Sequence, residues 1–279
     1  MIFFNQNIFS ENEFEIIGGI KIPKTQYATL SIEKYLNNYK TPFGKKQLQK
    51  ILTDSENYRF FVRNELKKRN LPPVLEYLPV VESEYKATAV SKSGAKGLWQ
   101  FMDNSIKGLL KKNEYIDERF DPYLSTKAAL TKLEANYKQF EDWPLAIAAY
   151  NCGSGAMQKI LKDSEEKTFW YIAENALLRD QSVQYIPKLL AICKLAENHE
   201  LYELKREFYF FDFEYIETND LFFLDRLSQE LKMDFSILRE LNPALIKNCT
   251  PPDEKYNLRI PLGKKESFLF AMSKINSEE

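Results

Sequence analysis

Glu82-Ser83-Glu84-Tyr85-Lys86-Ala87-Thr88-Ala89-Val90-Ser91-Lys92-Ser93-Gly94-Ala95-Lys96-Gly97-Leu98-Trp99-Gln100-Phe101-Met102 is the stretch around which the chain is organised. The run before it, Pro72-Pro73-Val74-Leu75-Glu76-Tyr77-Leu78-Pro79-Val80-Val81, reads as helix. Prolines are tolerated where a helix starts, because no N–H partner is lost there; Pro79 comes later and is expected to kink it. Leu75 and Leu78 precede Glu82 by seven and four residues, so at 3.6 residues per turn the three share a face. A carboxylate at the end of an apolar stripe is expected to enter a desolvated setting. Burial there disfavours the charged form and raises the pKa toward that of a general acid. A helix-end Glu paired in solvent would carry the same letters. A polar loop then leads to Gly94 and Gly97, whose bare backbones admit a close neighbour. Leu98-Trp99-Gln100-Phe101-Met102 reads as the start of a second buried helix. Gln100 is an amide within an apolar run and needs partners, either a sugar hydroxyl or acetamido group or the neighbouring backbone.

The surrounding composition is that of a globular protein. The 279 residues are 44% apolar and 28% charged, enough for one large domain or two smaller ones. A net charge of −1 provides no basic excess to neutralise phosphates, so no nucleic-acid partner is expected. Cys152, Cys193 and Cys249 lack CxxC spacing, and His199 is the one histidine, so no metal is expected; a buried free thiol is the default for each, with solvent access left open for Cys152. No run approaches the ~20 apolar residues of a membrane span. Met1-Ile2-Phe3-Phe4-Asn5 lacks the basic start and apolar run of a signal peptide.

Outward from the central stretch, three blocks are expected: lead-in helices over 1–70, a helical domain over 71–204, and a small α+β domain over 205–279. Phe14-Glu15-Ile16-Ile17 reads as a strand. Helices are expected from Ser31, which is available as a cap, from Gly44 to Leu52, and from a cap at Asp54 or Ser55 through Leu66. Residues 73 to about 199 read as nearly all helix. They include a helix after Asp121-Pro122, a small-residue helix from Trp143 to Asn151 broken by Gly153 and Gly155, and one from about Ser182 to Glu197. Tyr150 and Asn151 end their helix beside a glycine turn, where polar groups face either a groove or internal partners. Tyr185 lies off the centre of its apolar stripe. Glu207 to Tyr215 reads as an aromatic strand, followed by helices over 221–231 and 235–241 and a closing strand at Tyr256–Pro261.

The motifs resemble those of the lytic transglycosylases of the goose-type-lysozyme-like superfamily. The family carries an E-S pair, a Ser nine residues after the Glu, then G-A-x-G-L-[MW]-Q-x-M. Here these are Glu82-Ser83, Ser91 and Gly94-Ala95-Lys96-Gly97-Leu98-Trp99-Gln100-Phe101-Met102. The A-Y-N-x-G motif is matched by Ala149-Tyr150-Asn151-Cys152-Gly153. The Y-V-x-K context of the membrane-bound type D branch is matched by Tyr185-Ile186-Pro187-Lys188. The looser likeness runs from about residue 35 to 262. It implies a mainly α, lysozyme-like catalytic domain, and the strand–helix–helix–strand order at the C-terminal end resembles a degenerate LysM module. Thr218-Asn219-Asp220 stands there where that module has Gly-Asp.

The resemblance also implies a chemistry. Glu82 would be the single catalytic acid and base, cutting between N-acetylmuramic acid and N-acetylglucosamine with closure of a 1,6-anhydro ring. Ser91, Gln100, Tyr150, Asn151 and Tyr185 would line the substrate groove, with no metal and no cofactor. The partner would be peptidoglycan glycan strands, with room for cell-wall or envelope-machine proteins. Such an enzyme works in the periplasm, so the chain would be an exported form from which the targeting segment is gone. Two other readings stay open. One is a lysozyme-type hydrolase using a second carboxylate from Glu84, Asp103, Asp117 or Asp121. The other is a non-catalytic wall-binding protein.

Overall fold

The computed structural model describes residues 13–198 and 213–278. β1 (Phe14–Ile17) and β2 (Ile20–Pro23) pair antiparallel across Gly18-Gly19. Threonines then start two helices. Thr25 Oγ1 accepts from Ala28 N at 3.2 Å to begin α1 (Gln26–Lys40). Thr41 Oγ1 accepts from Gly44 N at 3.1 Å to begin α2 (Pro42–Asp54). Each bond satisfies an amide that helix geometry leaves without a partner. The first helix therefore begins before Ser31, which is interior and whose hydroxyl donates to the carbonyls of Tyr27 and Ala28. α3 (Glu56–Arg69) starts at Ser55, but that hydroxyl turns back to Ile51 O at 2.6 Å and caps nothing.

In place of one kinked helix over 72–81 there is a 3-10 turn (Pro73–Tyr77) followed by α4 (Leu78–Ser83). Pro79 is the second residue of α4, where its missing N–H costs nothing. The polar loop expected after Glu82 is present, but the expectation of nearly all helix fails through residue 121. Residues 84–121 are turns, single bridges and two short 3-10 turns, Asp103–Ser105 and Glu118–Phe120. Leu98–Met102 opens no helix. Lys96 and Phe101 exchange N–H···O bonds of 3.1 Å each, making a tight hairpin whose tip holds Leu98, Trp99 and Gln100. Positive φ angles at Glu84, Tyr85, Gly94, Gly97 and Gln100 interrupt any helix here. Helix resumes with α5 (Pro122–Phe140), α6 (Trp143–Cys152), α7 (Ser154–Asp163), α8 (Phe169–Glu174) and α9 (Asp180–Glu197).

The aromatic run expected as a strand from Glu207 lies outside the described residues as far as Asp212, as does His199. From Phe213 it is β3 (Phe213–Thr218). Then come α10 (Leu224–Glu230), α11 (Phe235–Leu241), β4 (Tyr256–Pro261) and a helix the sequence reading lacked, α12 (Lys265–Glu278). The chain is mainly helical, with two antiparallel strand pairs among the described residues. None of its described helices is long and apolar enough to cross a membrane.

The described residues form two compact units. The first holds residues 13–55, 62–81 and 129–198. Its centre is α6, buried from Pro144 through Tyr150 because its residues are apolar and mostly small. Ala146, Ala148 and Ala149 let neighbours approach, and α9, in which Ile186, Leu189, Leu190 and Ile192 are all buried, packs against α6. The second unit holds residues 56–61, 82–128 and 213–278. β3 and β4 pair with Tyr215 opposite Arg259 and Ile216 opposite Leu258. One sheet face packs Ile216, Leu258 and Ile260 against Leu224, Leu227, Leu238 and Phe268. Ile116, from the irregular stretch, belongs to the same core.

Candidate active site

Within the second unit, Glu82 stands half-buried in the last turn of α4. The next residue is anchored: the buried Ser83 hydroxyl donates to Leu98 O at 2.8 Å, tying the Glu82-Ser83 pair to the hairpin. Glu84 (φ 54) and Tyr85 (φ 61) then adopt left-handed backbone in succession. Side chains rarely tolerate that region, and each such residue stores about 1–3 kcal/mol that the surroundings must sustain. Tyr85, only 4% exposed, supplies part of that hold. The chain therefore turns away immediately after the candidate acid.

Ser91 and Gln100 lie in the same unit, and their bonds are local. Ser91 Oγ accepts from Ala95 N at 3.0 Å, and Ser91 N donates to Ala95 O at 2.9 Å, closing the loop that holds Gly94. Gln100 is half-buried with φ 49, and its amide nitrogen donates to Gly97 O at 2.8 Å. Of the two partners open to that amide, the nearby backbone takes its N–H.

Beneath the hairpin is a charged floor that the sequence reading missed as a unit. Arg119, 2% exposed, grips Asp117, 1% exposed, with Nε to Oδ1 at 2.8 Å and Nη2 to Oδ2 at 2.7 Å. Lys96 Nζ reaches the same carboxylate at 3.2 Å. Burial pushes the Asp117 carboxyl up, but the Arg119 and Lys96 bonds prevail and hold it below its usual value. The signal was an Asp two residues before an Arg: Asp117 caps the 3-10 turn Glu118–Phe120 by accepting from Arg119 N at 3.3 Å, which brings the guanidinium back to the same carboxylate. Asp117 entered the reading only as a spare carboxylate, and Arg119 not at all.

The other three candidates lie in the first unit. Tyr150, 8% exposed, closes the buried run of α6, with Lys132 Nζ 5.3 Å over its ring. Asn151 is exposed, and its Oδ1 accepts from Ser182 Oγ at 2.9 Å. That bond joins the end of α6 to the first turn of α9, which carries Tyr185 one turn on. Tyr185 is 6% exposed, so the ring is packed and not a surface tyrosine. Among the described residues no group of three His, Cys, Asp or Glu side chains could hold a metal ion.

Residues 59–173 match the family model for the transglycosylase SLT domain, a span that contains Glu82, Ser91, Gln100, Tyr150 and Asn151. Over that span the chain is similar to the SLT domains of lytic transglycosylases. Tyr185 lies past the end of the matched SLT domain. Over 190 residues the chain is 32% identical to membrane-bound lytic murein transglycosylase D of Escherichia coli K12, covering 66% of this chain and 40% of that protein. It is 36% identical over 115 residues to a putative tributyltin chloride resistance protein of an Alteromonas species, covering 40% of this chain and 56% of that one. The chain thus spans well under two thirds of either relative. Among solved structures, an inactive mutant of the lytic transglycosylase Slt from Pseudomonas aeruginosa matches 51% of this chain and 24% of its own, with 24% identity and a TM-score of 0.43.

Proposed function

We propose that this chain is a peptidoglycan lytic transglycosylase that works with one carboxylic acid. Glu82 protonates the glycosidic oxygen between N-acetylmuramic acid and N-acetylglucosamine. The same carboxylate then accepts the proton of the muramoyl C6 hydroxyl as that oxygen attacks C1 and closes a 1,6-anhydro ring. The nucleophile is part of the substrate, so proximity replaces an activated water. Ser91, Gln100, Tyr150, Asn151 and Tyr185 serve as substrate-binding groups, and oriented dipoles among them offset the positive charge developing at C1.

The observation that carries the single-acid reading is the state of the four carboxylates that could otherwise activate water. Glu84 pairs with Lys86 at 2.6 Å and Asp103 with Lys112 at 2.7 Å. Asp117 is gripped by Arg119 at 2.7 Å and Asp121 by Arg259 at 2.6 Å. A carboxylate whose oxygens are held by a cation is poorly placed to orient a water for attack, which favours attack by the tethered hydroxyl. The test is a mass spectrum of fragments released from purified peptidoglycan. Anhydromuramoyl ends support the proposal; reducing ends, heavier by one water, refute it in favour of hydrolysis. The substrate places the working protein in the bacterial envelope, and periplasmic residence belongs to the same proposal.

Residues 213–278 keep the strand–helix–helix–strand order of a LysM-like module, with α12 added. Tyr215, 47% exposed on β3, would give that module a ring for sugar stacking. Sedimentation of Glu82→Gln with insoluble peptidoglycan, with and without Tyr215→Ala, tests this role. Equal sedimentation removes it.

A further inference from the structure

We infer that Arg119 is a positioning residue for the proposed site: its guanidinium sets the height of the hairpin that carries Gln100 and the Leu98 carbonyl beside Glu82. The inference rests on the reading of Glu82 as the acid. It stands on how the hairpin is supported. Of the six residues from Lys96 to Phe101, three are registered directly on the Asp117–Arg119 segment. Lys96 reaches Asp117 Oδ2 at 3.2 Å, and Arg119 Nη1 lies 3.5 Å from Phe101 O. Gly97 packs its bare α-carbon against the Arg119 carbonyl, where an added Cβ would fall 1.7 Å from the oxygen. The hairpin in turn receives Ser83 at Leu98 O. A continuous chain of bonded groups therefore runs from Arg119 to the residue next to Glu82.

The support has its own footing. Asp117 N donates to Ala244 O at 2.9 Å, and Ile246 N donates to Tyr115 O at 2.9 Å. Ile116 is buried in the core of residues 213–278, and Asp121 is paired with the buried Arg259. The clamp is thus fixed from the C-terminal side and reaches toward the hairpin. At 2% exposure Arg119 has no surface to offer a glycan, so its influence on the reaction passes through the backbone it holds. A buried Arg–Asp pair adds little net stability compared with a well-packed apolar replacement. What it adds is direction, because a planar fork bonded at two oxygens and aimed at a carbonyl fixes orientation as well as distance. Lysine, a point charge on a flexible stem, cannot reproduce that.

The experiment measures turnover of soluble, uncrosslinked glycan strands by the wild type, Glu82→Gln, Arg119→Lys and Arg119→Ala, each with its folded fraction from circular dichroism. Arg119→Lys is expected to stay folded and lose on the order of 10²-fold in kcat, the scale of a ~1 Å misplacement, with KM little changed. Added guanidinium ion is expected to restore part of the kcat of Arg119→Ala while leaving Glu82→Gln inactive. Wild-type kcat in Arg119→Lys overturns the inference, as does a loss that merely tracks the unfolded fraction. Should Arg119→Ala not fold, Arg119→Lys alone decides. Full activity in Glu82→Gln refutes the single-acid reading instead, a result that the Arg119 variants cannot mimic.

Discussion

Replacing Gly97 with alanine tests the closest backbone approach in the site, and Gly94→Ala supplies its control. Both glycines have positive φ, +77° at Gly97 and +87° at Gly94, so either alanine pays the left-handed strain of roughly 1–2 kcal/mol. Their surroundings differ. A Cβ at Gly94 meets nothing within 4 Å, whereas one at Gly97 would lie 1.7 Å from Arg119 O and 2.6 Å from its carbonyl carbon. Those atoms are backbone and cannot swing aside, so the hairpin must lift, adding an overpacking cost of about 1–3 kcal/mol. Gly97→Ala should therefore cost about 2–5 kcal/mol against a typical total of about 5–15, and Gly94→Ala only the first part. In urea the difference between the two variants corresponds to a midpoint shift on the order of 1 M. Because the lifted hairpin carries Gln100 and Leu98 O, turnover should fall with Gly97→Ala even where the protein remains folded. Equal midpoints and equal turnover for the two variants would refute the close contact and the reasoning built on it.

Glu82→Gln should fold like the wild type and release no fragments, since the near-isosteric amide cannot deliver a proton; measurable turnover ends the single-acid mechanism. Arg259→Met leaves Asp121, 2% exposed, charged and without its partner, and should cost about 3–5 kcal/mol in a denaturant melt. The double variant Asp121→Asn with Arg259→Met should recover much of that, because asparagine keeps the capping acceptor that Tyr123 N and Leu124 N use. Asp117 gives the acid limb of stability. Its folded carboxyl is held below the usual 3.8, so the unfolded chain takes the proton first as pH falls. The stabilisation is complete above the unfolded value and is lost as pH drops through the folded one, so urea midpoints should decline below about pH 4 and decline less in Asp117→Asn. Burial pushes the thiols of Cys152, Cys193 and Cys249 above their usual pKa, so the native protein should react slowly with a thiol reagent at pH 8 and the urea-unfolded chain rapidly at all three.

What was legible in the sequence, and what was not, follows from range. α6 could be read because its cues are local: Pro144 near the start, small apolar residues through the middle, glycine after the end. The β3–α10–α11–β4 order could be read for the same reason, from β-branched and aromatic runs separated by turn residues. Residues 84–121 could not. Their conformation is decided by contacts with no periodic signature: a serine hydroxyl on a carbonyl fifteen residues away, and a guanidinium beneath a hairpin eighteen residues away. Leu98-Trp99-Gln100-Phe101-Met102 has the composition of a buried helix, and it is indeed largely buried. Its tertiary partners, the Thr126 hydroxyl for Trp99 Nε1 at 2.8 Å among them, override the local preference.

The same contrast bears on why the site is built this way. A regular helix would spend its backbone groups on itself, leaving Gly97 O and Leu98 O bonded within the ladder. In the hairpin Leu98 O goes to Ser83 Oγ, and Gly97 O, which accepts Gln100 N at 3.2 Å within the turn, takes Gln100 Nε2 as well. Holding a backbone in that irregular form requires something other than periodic hydrogen bonds. Here it comes from two left-handed residues after Glu82, a glycine with no room for a side chain, and a buried ion pair below. Each is a poor choice for stability alone, and together they fix one short loop beside one carboxylate. The concentration of such choices between Glu82 and Arg119, more than any single residue type, is what supports the proposed site.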